Sequence, residues 1–262
     1  MSNTGLSTSR IPYIAACGGK CYNPVLGCSN DGTICAVRAR GLCWAEGINK
    51  HETFEPRFNA ECLEAPLRAR KPTTIFTGFR SDLWSDKVDP AWRKQLFEVE
   101  RQCPQHTFVH LTKCPRNMER WDAYDGNYKN LWFGVSVCNM NDGMHPHHLF
   151  MKTPLGSHKW ISFEPITDSI GDYPSWLFKS CGTEFVVIGG LSSGAGKIIP
   201  PEEGGTKASW VAPIIEAACE AKIPVWLKNL SKAVLNQITN PLTGKRFESM
   251  SEMRQLPESW MK

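Results

Sequence analysis

The stretch "TTIFTGFRSDLWSDKVDPAWRKQLFEVERQCPQHTFVHLT" (73–112) sets two short apolar runs on either side of a helix-like segment. The runs TTIFTG (73–78) and TFVHLT (107–112) are apolar on both faces, which suits strands buried on both sides of a parallel sheet. Between them, DPAWRKQLFEVERQCP (89–104) opens on Asp89 as a helix N-cap. Pro90 follows at the first helical position, where a missing N–H is tolerated. Trp92, Leu96, Phe97 and Val99 give this helix an apolar side. A strand, a helix and a second strand in succession make a crossover unit, and such a crossover joins parallel strands.

The same alternation continues outward in both directions. Further strand-like runs are IPYIAA (11–16), LWFGVSV (131–137), KWISFEP (159–165), EFVVIGG (184–190) and PVWLKN (224–229), and KASWVAPIIEAACEAKI (207–223) is a second helix. Repeated strand–helix units in a chain of 262 residues predict a single-domain α/β protein. The architecture expected is a partial or complete TIM-type (β/α) barrel, with an open doubly wound sheet as the alternative. Residues 1–239 are expected to form the barrel, including a cysteine-bearing loop at 17–44, and 240–262 a C-terminal cap.

Both architectures place an active site at the carboxyl ends of the strands. That edge is polar throughout. Thr77, Gly78, Arg80, Ser81 and Asp82 follow the second run, and Thr112 and Lys113 end the third. Ser136, Cys138 and Asn139 end the fourth, and Ser162 and Glu164 the fifth. Gly189, Gly190, Ser192 and Ser193 follow the sixth, and Lys228 and Asn229 end the last. A polar pocket is expected there, with Asp82 and Glu164 as acceptors for a ribose or an ammonium group. The alternative for each acid is a helix cap or an ion pair with Arg80 or Lys113. Trp44, Trp84 and Trp132 suit stacking on a base or packing in the core.

Hydrophobic residues make up 41% of the chain and charged residues 21%, as in soluble globular proteins. The net charge of +4 permits a polyanionic partner without requiring one. MSNTGLSTSR (1–10) has no apolar signal region, and no apolar run is long enough to span a bilayer. A cytoplasmic location without membrane contact is therefore expected. There thiols stay reduced, so the 11 cysteines point to metal binding or catalysis ahead of disulfides.

CGGKCYNPVLGCSNDGTICAVRARGLCW (17–44) carries Cys17, Cys21, Cys28, Cys35 and Cys43. Cys28, Cys35 and Cys43 in one loop can hold three irons of a cubane cluster and leave the fourth open for a ligand. Zinc is the alternative, although zinc loops pair their ligands at closer spacing, and only Cys17 and Cys21 fit that spacing here. Small buried thiols are the third possibility. Cys114 and Cys138 lie just past strand ends, where packing is the simpler role. GGLSSGAGK (189–197) is not a phosphate-binding P-loop, because Leu191 and Ile198 occupy positions where that motif needs Gly and Ser or Thr. His145, His147 and His148 offer either metal ligands or a helix start with Pro146 in its first turn.

NPVLGC (23–28) followed by Cys35 and CWAE (43–46) resembles the "NPV-T-GC … GC … CYAE" opening of a phage and prophage family. That family is catalogued as a domain of unknown function and related to radical S-adenosylmethionine enzymes. CPQHTFVHLTKCPRNM (103–118), LWFGVSVCN (131–139), ISFEPI (161–166) and VVIGGLSSGAG (186–196) are similar to its later blocks. The resemblance implies a 4Fe–4S cluster on Cys28, Cys35 and Cys43, with S-adenosylmethionine at the open iron. Thr77, Gly78, Asp82, Thr112, Lys113, Ser136, Glu164, Gly189 and Gly190 would then bind the cofactor. Reductive cleavage would give a 5′-deoxyadenosyl radical, the cofactor carrying the hard chemistry. The implied substrate is a nucleotide or modified base, in phage DNA and in the host cytoplasm if the chain is phage-encoded. A flavodoxin- or ferredoxin-type electron donor is implied as well. The seven-residue spacer AVRARGL (36–42) departs from the closer spacing of related proteins, and Leu191 stands where the family tends to carry an acid. The contrasting readings are a non-catalytic zinc- or cluster-bearing nucleic-acid-binding protein and a non-redox barrel enzyme with incidental cysteines.

Overall fold

A computed structural model of the chain describes residues 5–29, 55–118, 128–171, 173, 175–193 and 197–261. Among the described residues the strands are β1 Leu6–Thr8, β2 Lys20–Tyr22, β3 Val25–Leu26, β4 Arg57–Phe58, β5 Thr74–Thr77, β6 Thr107–Thr112, β7 Leu131–Ser136, β8 His158–Phe163, β9 Thr183–Gly189 and β10 Val225–Lys228. Helices α1 Pro12–Ala16, α2 Ala65–Arg68, α3 Pro90–Arg101, α4 His145–Lys152, α5 Ser175–Ser180, α6 Ala208–Glu220 and α7 Lys232–Leu235 are interspersed with them. Eight strands share a sheet in the order β1-β2-β5-β6-β7-β8-β9-β10, while β3 and β4 pair separately. The pairs β2–β5, β5–β6, β8–β9 and β9–β10 are parallel, and β1 joins β2 antiparallel. The protein is thus mixed α/β with a mostly parallel sheet. No helix among the described residues is long and apolar enough to cross a membrane.

The stretch 11–16 corrects the first expected strand. Pro12–Ala16 is a helical turn with proline in its first positions, and only Tyr13 and Ile14 are buried. Pro12 presets φ for a helix start, and a run with two exposed alanines does not need both faces covered. The first parallel strand is instead β2, which contains Cys21. Cys21 is therefore a strand residue, and Cys17 caps the end of α1.

The chain divides into two compact units. The first comprises Met1–Gly134, Lys152–His158 and Glu258–Lys262. Every residue of β5 is buried, as are all of β6 except Leu111, so this part of the sheet is covered on both faces. Helix α3 begins where Asp89 Oδ1 accepts from the Ala91 N–H at 2.8 Å. It turns Leu96, Phe97, Val99 and Glu100 inward. Arg93 is also buried, its guanidinium donating to the carbonyls of Leu83 and Val88 at 3.0 and 3.1 Å. At the other end of the strands, the fully buried Trp260 meets Phe76 and Trp132 edge-on, with ring centroids 5.2 and 5.4 Å apart. Thr74 and Thr107, the first residues of β5 and β6, donate their hydroxyls to the carbonyls of Trp260 (2.8 Å) and Ser259 (3.3 Å). Residues 258–260 thus sit at the amino ends of these strands.

The second unit comprises Val135–Met151 and Lys159–Pro257. Its core is β8–β9–β10 with the inward side of α6, namely Val211, Ile214, Ile215, Ala217 and Ala218. Phe163, Tyr173 and Phe178 form an aromatic cluster against β8. The chain after β10 returns to it, the Gln255 N–H donating to the Val225 carbonyl at 3.0 Å. The short turn at Met250–Met253 is closed by a capping box between Ser249 and Glu252.

Candidate functional site

In the first unit the loops beyond β2 and β5 are tied together. The Gly78 N–H donates to the Tyr22 carbonyl at 2.9 Å, and Asn23 Oδ1 accepts from the Arg80 N–H at 3.0 Å. Gly78 has φ +74°, a conformation only glycine adopts without strain. Gly27 then bridges Ser81, and Cys28 follows it, half-buried. Cys28 therefore stands beside the loop after β5.

Asp82 is 5% exposed, and its carboxylate accepts hydrogen bonds from two neighbouring segments. Oδ1 takes the Thr112 hydroxyl at 2.6 Å and the Trp84 N–H at 3.1 Å, and Oδ2 takes the Lys113 N–H at 2.7 Å. A carboxylate with this many donors is a strong tie between neighbouring segments. It fastens the loop after β5 to the end of β6. The hydroxyl of Thr112 in turn accepts from the Cys114 N–H at 2.8 Å.

Thr77 points elsewhere. Its hydroxyl donates to Glu100 Oε1 at 3.0 Å, and Glu100 Oε2 lies 3.0 Å from His110 Nε2. Glu100 and His110 are fully buried. Phe133 stacks on the imidazole at 5.3 Å, with Phe97 and Trp84 at 5.3 and 6.0 Å. Thr77 and His110 thus face the layer of α3. By alternation along β6, Thr112 shares the face of His110. The sequence reading missed Glu100 and His110. Their signal is a single ionisable residue inside an apolar pattern, Glu100 beside Leu96 and Phe97 on a helix and His110 in the middle of a strand. Trp84 and Trp132 are core residues.

In the second unit the loop after β7 closes on itself. The Cys138 N–H donates to Asp142 Oδ2 at 2.8 Å, and the ring nitrogen Nδ1 of His145 lies 2.8 Å from the Ser136 carbonyl. That carbonyl can only accept, so Nδ1 carries the proton. Nε2 lies 3.8 Å from Asp142 Oδ1. Helix α4 does start at His145, with the buried Pro146 in its first turn.

The ends of β8, β9 and β10 bring Glu164, Gly189 and Lys228 together. Lys228 Nζ forms an ion pair with Glu164 Oε1. A Cβ on Gly189 would stand 2.7 Å from Glu164 Cγ, and one on Gly190 would stand 2.3 Å from the Asn229 carbonyl oxygen. Both glycines are therefore required by close approach. The acid pairs with Lys228, a partner the sequence reading did not consider.

Burial raises the thiol pKa of both Cys17 and Cys21. The Cys17 thiol donates to the Ile14 carbonyl at 3.3 Å. Such thiols are packing groups, reluctant to become the thiolate that binds metal. Cys35, Cys43 and Trp44 lie outside the described residues. Among the described residues no three His, Cys, Asp or Glu side chains are grouped to hold a metal ion, the histidines of 145–148 included.

No curated protein and no solved structure matches the chain. The profile of a family described as a protein of unknown function (DUF5131) matches residues 9–257, and to that family the chain belongs.

Proposed function

We propose that the chain is an iron–sulfur radical S-adenosylmethionine enzyme acting on a nucleotide or modified base. On this reading the parallel strands are the staves of a partial TIM-type barrel. The observation that carries the reading is the position of Cys28. It is half-buried beside the polar loop after β5, whereas burial holds Cys17 and Cys21 as protonated packing thiols. A soft thiolate donor at a strand end fits an iron–sulfur cluster. Cys35 and Cys43 would complete the set. When bound, the reduced cluster would supply one electron to the sulfonium of S-adenosylmethionine, and the pair would provide the radical chemistry that takes a hydrogen atom from substrate. The electron comes from a flavodoxin- or ferredoxin-type donor.

The chain's own residues then bind and orient. Asp82 fixes the loop after β5 against the end of β6, so the backbone beside Cys28 is held. Glu164 supplies an acceptor for a ribose hydroxyl or an ammonium group. Cytoplasmic location follows from the redox chemistry, since a reduced cluster needs a reducing compartment.

Anaerobic purification with iron and sulfide tests this. The expected product is brown, loses its visible absorbance in Cys28→Ala, Cys35→Ala and Cys43→Ala, and keeps it in Cys17→Ala. On reduction with S-adenosylmethionine it releases 5′-deoxyadenosine. A colourless protein with stoichiometric zinc overturns the reading in favour of a zinc-bearing nucleic-acid binder.

A further inference from the structure

Cys28 leaves the first unit's strands through a two-stranded clasp. Val25 and Leu26 of β3 stand opposite Phe58 and Arg57 of β4, antiparallel. The Asn59 N–H closes the far end on the Pro24 carbonyl at 2.7 Å. The span that begins at Cys28 thus departs from one arm of the clasp and comes back on the other. The thiol of Cys62 lies 3.4 Å from the Asn23 carbonyl oxygen and 3.3 Å from that of Asn59, one on each arm. Burial pushes the pKa of that thiol up to about 11, so it stays protonated as a donor between them.

The clasp is separate from the eight-stranded sheet, so contacts beyond strand pairing hold it to the rest of the unit. On the side of β3, Gly27 bridges Ser81 in the loop after β5. On the side of β4, Phe58 stacks on Trp92 of α3, with ring centroids 5.6 Å apart and planes 15° from parallel. Helix α3 is itself fixed, because Arg93, next to Trp92, donates to two carbonyls of the loop after β5. Lys87 and Glu55 pair alongside at 2.6 Å, but their side chains are about half exposed. An exposed ion pair contributes little. The aromatic stack is therefore the stronger side-chain attachment of the two.

We infer that Phe58 and Trp92 are positioning residues for Cys28. Their stack fixes β4 to α3, β4 fixes β3, and β3 sets Cys28 beside the loop after β5 as an iron ligand. The inference rests on the proposed function and adds to it what holds this ligand before iron arrives. A ligand held in place beforehand loses less freedom on binding. An aromatic pair of this geometry shifts an equilibrium roughly 2- to 10-fold.

The test reads Cys28 without and with iron. In the full-length chain without iron, alkylation by N-ethylmaleimide is followed at each cysteine by mass spectrometry. Phe58→Ala and Trp92→Ala are each expected to speed Cys28 roughly 2- to 10-fold, while Cys21 and Cys103 keep their wild-type rates. In the anaerobically loaded chain the same variants are expected to lose iron to a chelator faster by a like factor. Combining them should add nothing, since either one removes the stack, and Phe58→Tyr should restore wild-type behaviour. A merely structural role would speed Cys21 and Cys103 along with Cys28, so equal acceleration overturns the inference. A wild-type Cys28 rate, or wild-type iron loss, in both single variants also overturns it, while leaving the proposed function standing. If Phe58→Ala does not fold, Phe58→Leu, which keeps apolar volume without the ring, carries the test. A wild-type chain that takes up no iron–sulfur cluster brings down both the inference and the reading beneath it.

Discussion

Glu100 offers its two carboxylate oxygens to two different strands, Oε1 to Thr77 on β5 and Oε2 to His110 on β6. All three side chains are buried. A buried ionisable group deprived of its partners costs more than an ordinary hydrogen bond. Glu100→Ala is expected to destabilise the protein by about 3 kcal/mol. Thr77→Val removes one donor and is expected to cost about 1 kcal/mol. Urea denaturation measures both, and wild-type midpoints would show that the network holds nothing together. Thr77 was legible as a strand-end residue, but its partner was not. Sequence gives the alternation of faces along a strand without saying which face meets a helix. The Asp82 tie was legible in part, since Lys113 was an expected partner, but it is the Lys113 backbone N–H, with the Thr112 hydroxyl at the end of β6, that donates.

Among the elements, α3 shows how far local chemistry reaches. Asp89 and Pro90 announce its start, and the Asp89 carboxylate does accept from Ala91 N–H. Asp89→Ala is expected to cost about 1 kcal/mol, read as a lower urea midpoint with an unchanged slope. Runs 73–78, 107–112, 131–137, 159–165, 184–190 and 224–229 all overlap observed strands, because stretches apolar on both faces have few other places to go. The run 11–16 failed since proline, not hydrophobicity, decided it. The Glu164–Lys228 pair was not legible at all. It depends on the register of three strands, and sequence spacing does not encode register.

For the molecule as a whole, its cysteines set a limit on alkaline stability. Burial raises the thiol pKa of Cys17, Cys21, Cys62, Cys103, Cys181 and Cys219, that of Cys62 to about 11. It also raises the phenols of Tyr22 and Tyr173. A group whose pKa is higher folded than unfolded contributes stability below its unfolded value. That stability is lost as pH rises toward the folded value. Tm is therefore expected to fall from about pH 8.5 upward. Lys159 works in the opposite sense, because burial lowers its pKa, but it is one group against eight among the described residues. Thermal scans across this range check the expectation, and a flat Tm from neutral to pH about 11 would contradict it.

Trp260 has a bearing on how the chain is made. It fills the amino end of a unit whose other strands come from much earlier in the sequence. Thr74 precedes it by 186 positions, and Thr107 precedes Ser259 by 152. At ribosomal rates of roughly 5–20 residues per second, 186 residues take about 10–40 s to synthesise. Over that interval the nascent chain presents first Phe76 and later Trp132 without the indole that covers them, a sticky vacancy that a chaperone can shield and a neighbouring polysome can fill wrongly.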